Sequence, residues 1–160
     1  MRFFRPRARW VLALLSGMAV APTFAQTAVT PGPMRIVDTG ELMQLFIRPA
    51  YLELQTAVAK APQSRQEWAA IYRAAVRLAE MENLIFFREP NRYTTQPGFP
   101  LLAAQARDTT AEVVRLTLAA MPAARQEDFL AVRRAYEAVS TSCTACHRGL
   151  GTMNGPTVKP

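Results

Sequence analysis

The stretch Phe129–His147, FLAVRRAYEAVSTSCTACH, decides how this chain is read. Within it, Phe129, Val132, Tyr136, Val139, Cys143 and Cys146 succeed one another at steps of 3, 4, 3, 4 and 3. An α-helix completes a turn in 3.6 residues, so this spacing gathers all six side chains on one face. Both cysteines therefore continue an apolar stripe turned toward a core, on a helix expected over about 123–148.

Working back from that helix, Leu102, Ala106, Thr109, Val113, Leu116 and Ala120 follow at steps of 4, 3, 4, 3 and 4, and Pro122 closes the run. Between Glu89 and Pro100 lie Pro90, Asn91, Pro97 and Gly98, which predict a long connection without a regular element. Ser64-Arg65-Gln66-Glu67 has the form of a capping box, and Trp68, Ile71, Ala75, Leu78 and Ile85 make the apolar side of a helix over about 65–87. Asp38-Thr39-Gly40-Glu41 is a second such box and opens a helix over about 39–60. Pro49 falls inside that helix, where it removes an amide donor and crowds the carbonyl of Leu45, so a kink or break is expected. No stretch alternates with period two, and β-branched residues are scattered, which argues against a sheet. The expected fold is all-α: an antiparallel four-helix bundle with two short turns and one long connection, over residues 38–148.

The flanks read differently. Arg2, Arg5, Arg7 and Arg9 precede an apolar run over 11–21, and Thr23-Phe24-Ala25 offers small residues before a cut, so residues 1–25 are expected to be a signal peptide. Those four arginines carry most of the basic excess: without them the formal charge falls from +7 to +3. The remaining charges are mixed and form no basic stripe interleaved with aromatic residues, which excludes nucleic acid as the expected partner. The apolar run is too short to span a bilayer, and no Cys stands at the cut for a lipid, so stable membrane insertion is not expected. Residues 26–37, with Pro31-Gly32-Pro33, read as a flexible lead-in, and 149–160 as a flexible tail. About 135 residues bury enough surface for a core without disulfide staples. The only two cysteines lie three apart and cannot link distant segments. Their role is local.

Cys143-Thr144-Ala145-Cys146-His147 is a C-x-x-C-H motif, the attachment sequence of c-type haem. Positions i, i+3 and i+4 share a helical face, so both thiols and the imidazole can address one porphyrin. The sulfurs of Cys143 and Cys146 would form thioethers with the vinyl groups, and His147 would give a nitrogen to the iron. Other readings fit less well. A thiol redox pair normally opens a helix after a strand, whereas this one ends the last helix. A structural zinc site needs four ligands, and the chain has no further Cys or His. A local disulfide or a pair of inert core thiols would leave the chain's single His beside both cysteines by coincidence. Export fits haem, because c-type attachment takes place outside the cytoplasm.

With these residues in view, the chain resembles class II cytochrome c, the cytochrome c′ family of four-helix bundles whose haem motif lies on the last helix. The resemblance covers roughly 38–148, and its specific part is Cys143-Thr144-Ala145-Cys146-His147. It implies one covalent haem c held by Cys143 and Cys146, with His147 as the proximal iron ligand. For the distal position, five methionines follow the signal: Met34, Met43, Met81, Met121 and Met153. Met43 begins a helix antiparallel to the last one, so it lies beside the end that carries His147, and its position resembles that of the methionine in low-spin members of the family. The competing reading is that Met43 only packs against the porphyrin.

The function expected from these features is a periplasmic electron carrier that serves redox partner proteins and is not itself an enzyme. A five-coordinate haem protein that binds nitric oxide or carbon monoxide is the alternative, and a haem subunit of a larger redox complex is a third reading. The sixth iron position separates the first two. Trp68 and Tyr72 could flank the porphyrin, but aromatic residues at helical spacing usually belong to a core. Phe86 and Phe87 could cover the haem or seal a homodimer surface. Arg148, next to His147, could pair with a haem propionate or stay in solvent.

Overall fold

Asp38 starts the first helix as its sequence implies. Its carboxylate accepts from the Glu41 amide at 2.8 Å, and the Glu41 carboxylate accepts from the Asp38 amide at 3.1 Å. In the computed structural model of the chain, residues 36–88, 90–123 and 125–151 are described. The expected signal peptide, most of the expected lead-in and most of the expected tail lie outside the described residues, as do Met34 and Met153.

Helix α1 has three consecutive parts: an α-helical turn Thr39–Leu42, a π-helical turn Met43–Ile47, and an α-helical length Arg48–Ala57. The π turn is the outcome at Pro49. With no proline N–H to serve Leu45, the chain widens, and the Arg48 amide donates five residues back to Met43. The expected interruption is thus a bulge within a helix, with Pro49 in the first turn of the part that follows.

Helix α2, Arg65–Asn83, tightens into a 3₁₀ turn, Leu84–Phe87. Its box is only half formed: Ser64 Oγ accepts from the Glu67 amide at 3.2 Å, while the Glu67 carboxylate takes the amide of Gln63 rather than that of Ser64. Helix α3, Phe99–Ala120, begins three residues ahead of the apolar run, because Pro100 sits in the first turn, where an amide has no helical acceptor to lose. Helix α4 is Gln126–Gly149, and Leu150 behind it is buried.

The described residues are all-helical, with four helices and no strand. Consecutive helices pack on one another, and α4 also meets the first two: Tyr136 stacks on Tyr51, and Phe129 stands edge-on to Trp68 with ring centroids 6.4 Å apart. Leu54, Ile71, Leu78, Val113, Val132 and Val139 are fully buried at the centre. Thr109 and Ser142 join α3 to α4 by a hydroxyl–hydroxyl bond of 2.9 Å. Among the described residues no helix is long and apolar enough to cross a membrane.

Candidate functional site

The connection after α2 ties together the ends at which α1 begins and α4 finishes. Asn91 turns the chain back on itself, its side-chain oxygen accepting from the amides of Tyr93 at 2.8 Å and Thr94 at 3.1 Å. The Asn91 amide nitrogen donates to Thr39 Oγ1 at 3.0 Å, and Arg88 reaches the carbonyl of Val37 at 2.7 Å. Gln96 donates to the carbonyl of Leu150 at 3.3 Å.

Beneath this strap lies a cavity of about 320 Å³ with predominantly apolar walls. Helix α1 contributes Met43, Ile47, Arg48 and Tyr51, and the end of α2 contributes Glu82 and Ile85. Tyr93 comes from the connection, and Phe99, Ala103 and Ala106 from α3, whose alanines leave room that longer side chains would fill. Cys143, Cys146, His147 and Leu150 form the α4 wall. All four residues singled out from the sequence, Cys143, Cys146, His147 and Met43, line this one space.

The electrostatics follow from burial. Both cysteines are free thiols. Burial pushes the Cys143 thiol up to about 12, with Glu82 and then Cys146 adding to the effect, and raises Cys146 for the same first reason. Desolvation lowers the pKa of His147, so its ring is neutral at pH 7 and keeps a nitrogen lone pair for coordination. Among the described residues no three His, Cys, Asp or Glu side chains converge as ligands of a single metal ion. Side chains at i, i+3 and i+4 share one face of the helix, and here that face is the cavity wall.

Several lining residues were not singled out from the sequence. Glu82 is the clearest: it is 1% exposed, yet neither carboxylate oxygen has a hydrogen-bond partner. Burial raises its pKa to about 7, while the Thr110 hydroxyl and the Arg107 guanidinium, both on α3, pull weakly the other way. Its position was visible, since Leu78, Glu82 and Ile85 continue the α2 stripe at steps of 4 and 3. Tyr51 was hidden by the π turn, which shifts the helical register upstream of it.

The other candidates lie elsewhere. Trp68 is a core residue against Phe129, remote from the cavity wall, and Tyr72 does not line it. Met81 and Met121 pack on the core outside the cavity. Phe86 and Phe87 are exposed and do not cover it, and Arg148 is exposed, whereas Arg48 lines the cavity. Comparison of the chain with protein-family models, curated proteins and solved structures finds no match.

Proposed function

We propose that this protein is a c-type cytochrome: an exported, periplasmic electron carrier with one haem c bound covalently through Cys143 and Cys146 and ligated by His147. The observation that carries the reading is the convergence of both thiols and the chain's single imidazole on one apolar cavity at the end of α4. The residues fit a porphyrin. Ile47, Ile85, Phe99 and Ala106 offer an apolar enclosure, and the two cysteines stand one helical turn apart along its edge. Such a haem would supply one-electron chemistry at its iron, with no substrate transformed.

The chain's own part is to hold and tune. His147, whose neutral form burial favours, would offer a ring nitrogen to the iron from the last turn of α4. The strap through Asn91 and Gln96 ties the start of α1 to the end of α4, the two elements that bring Met43 and His147 to the cavity. An antiparallel bundle of the class II cytochrome c kind is supported by residue pairing. Tyr51 with Tyr136, and Met43 with Cys143 and Cys146, run in opposite senses along α1 and α4, whereas Trp68 with Phe129, and Glu82 with Cys143, run in the same sense along α2 and α4.

Extraction tests the reading. Mature protein produced in a haem-competent periplasm is expected to stay red after acid–acetone treatment and to carry the mass of one haem. Colour that extracts, or an intact mass without that increment, refutes it.

A further inference from the structure

We propose that Glu82 is a redox-linked proton site, a cavity carboxyl that binds a proton when the cofactor accepts an electron and releases it when the electron leaves. This rests on the cytochrome reading of the same cavity.

The argument starts from an anomaly of burial. A carboxylate with 1% of its surface exposed and no hydrogen-bond partner for either oxygen is held at high cost in ionised form unless a positive charge faces it. The guanidiniums of Arg107 and Arg48 stand in its surroundings, but neither hydrogen-bonds to its carboxyl. From α3 it meets the neutral Thr110 hydroxyl and the Arg107 guanidinium, whose side chain is one-third exposed and committed to Asp108 at 2.7 Å. From α4 it meets Cys143 and Cys146, which cease to titrate once they are thioethers. From α1, Arg48 and Tyr51 line the same cavity, as does Tyr93 from the connection, and His147 lies on its α4 wall. Burial raises the pKa of Glu82 to about 7, so the charge of this cavity carboxyl can change near neutrality.

A cofactor seated there changes its own charge by one when it is reduced. The iron–porphyrin core would carry one more positive charge oxidised than reduced, so the oxidised state would favour the Glu82 carboxylate and the reduced state the carboxylic acid. One electron from a donor protein reduces the iron, and one proton from solvent forms the O–H bond on Glu82. Both leave again on oxidation by an acceptor, so atoms and charge balance.

The experiment is a spectroelectrochemical titration of the full-length mature holoprotein from pH 5 to 9, comparing wild type with Glu82→Gln and Glu82→Asp. Wild type is expected to show a segment around neutrality where the midpoint potential falls by about 59 mV for each tenfold decrease in proton concentration. Glu82→Gln is expected to flatten that segment and to lie above wild type on its alkaline side, while Glu82→Asp retains a slope. The porphyrin's propionates titrate in all three proteins and cancel in the comparison. A redox-difference infrared spectrum of wild type provides a reading without any variant: a protonated-carboxyl band sensitive to deuterium is expected on reduction, and its absence overturns the proposal. Covalent haem with equal slopes in wild type and Glu82→Gln overturns the proposal and leaves the cytochrome reading standing. A protein without covalent haem refutes that reading, and the proposal with it.

Discussion

The Tyr136 hydroxyl donates to the Tyr51 oxygen across 2.9 Å, inside the bundle, and so joins α4 to the helix that carries Met43. The two rings stack with centroids 5.9 Å apart, and Tyr51 is also a cavity wall. Burial, and then the bond to Tyr51, hold the Tyr136 phenol far above its ordinary pKa. Tyr136 therefore keeps its proton, and its bond to Tyr51, well beyond neutral pH.

Tyr136→Phe removes this bond and leaves the Tyr51 hydroxyl without its donor. A destabilisation of about 1–2 kcal/mol is expected in urea unfolding, because a buried group loses its partner without regaining water. Tyr51→Phe should cost a similar amount, and the double variant less than the sum, with a coupling of about 1 kcal/mol. Additive losses would mean that the two hydroxyls contribute independently.

Glu82 gives stability a pH dependence of definite sign. Its ordinary pKa of 4.5 is raised to about 7 in the fold, so between these values the unfolded chain has lost the proton while the folded chain keeps it. Stability is therefore full below pH 4.5 as far as this group is concerned, falls as pH rises toward 7, and is level above. The loss over that window is about 3 kcal/mol. Urea midpoints measured from pH 4.5 to 7.5 at fixed oxidation state should fall in wild type and remain nearly level in Glu82→Gln.

Removing both of the proposed haem-attachment thiols should loosen the fold. An empty cavity of about 320 Å³ corresponds to up to about 8 kcal/mol at the usual cost per volume, which is comparable to the whole stability of a domain. Cys143→Ala combined with Cys146→Ala is expected to give a protein that keeps its helical far-ultraviolet signal, loses near-ultraviolet structure and binds a hydrophobic dye. A cooperative melt near that of the wild-type holoprotein would contradict this.

The helices were legible because their apolar stripes are long: the steps of 3 and 4 in α3 and α4 leave no competing period. Asp38-Thr39-Gly40-Glu41 located the start of α1, since both halves of its box form. The helix ends were less legible where proline acts in two ways. Pro100 reads as a breaker in sequence but serves as a first-turn residue, and Pro49 reads as a kink but is absorbed by a π turn. In the site, Cys143, Cys146 and His147 are local in sequence and easily seen together. Glu82 and Tyr51 reach the same cavity only through packing of separate helices, and a single charged residue on an apolar stripe carries no label of its own.

Met43 is where the geometry bears most directly on what the iron would do. It lies partly buried on the cavity wall contributed by α1, within the π turn that answers Pro49. Met81 and Met121 do not line the cavity, which leaves Met43 as the thioether available there among the described residues. A thioether is a weak neutral ligand that favours reduced iron and raises the potential, which suits an electron carrier; an apolar wall of Ile47 and Ala106 without such a ligand would leave the iron open to nitric oxide or carbon monoxide. The expected outcome is a low-spin oxidised spectrum with a sulfur-to-iron band toward the red, lost in Met43→Ala together with a fall in potential and a gain of carbon monoxide binding. Pro49→Ala supplies an independent check: by allowing the Leu45 carbonyl its ordinary donor, it should shrink the π turn and weaken the same band without touching the sulfur. A wild type that is already high-spin would assign Met43 to packing and favour gas binding over the proposed electron carriage.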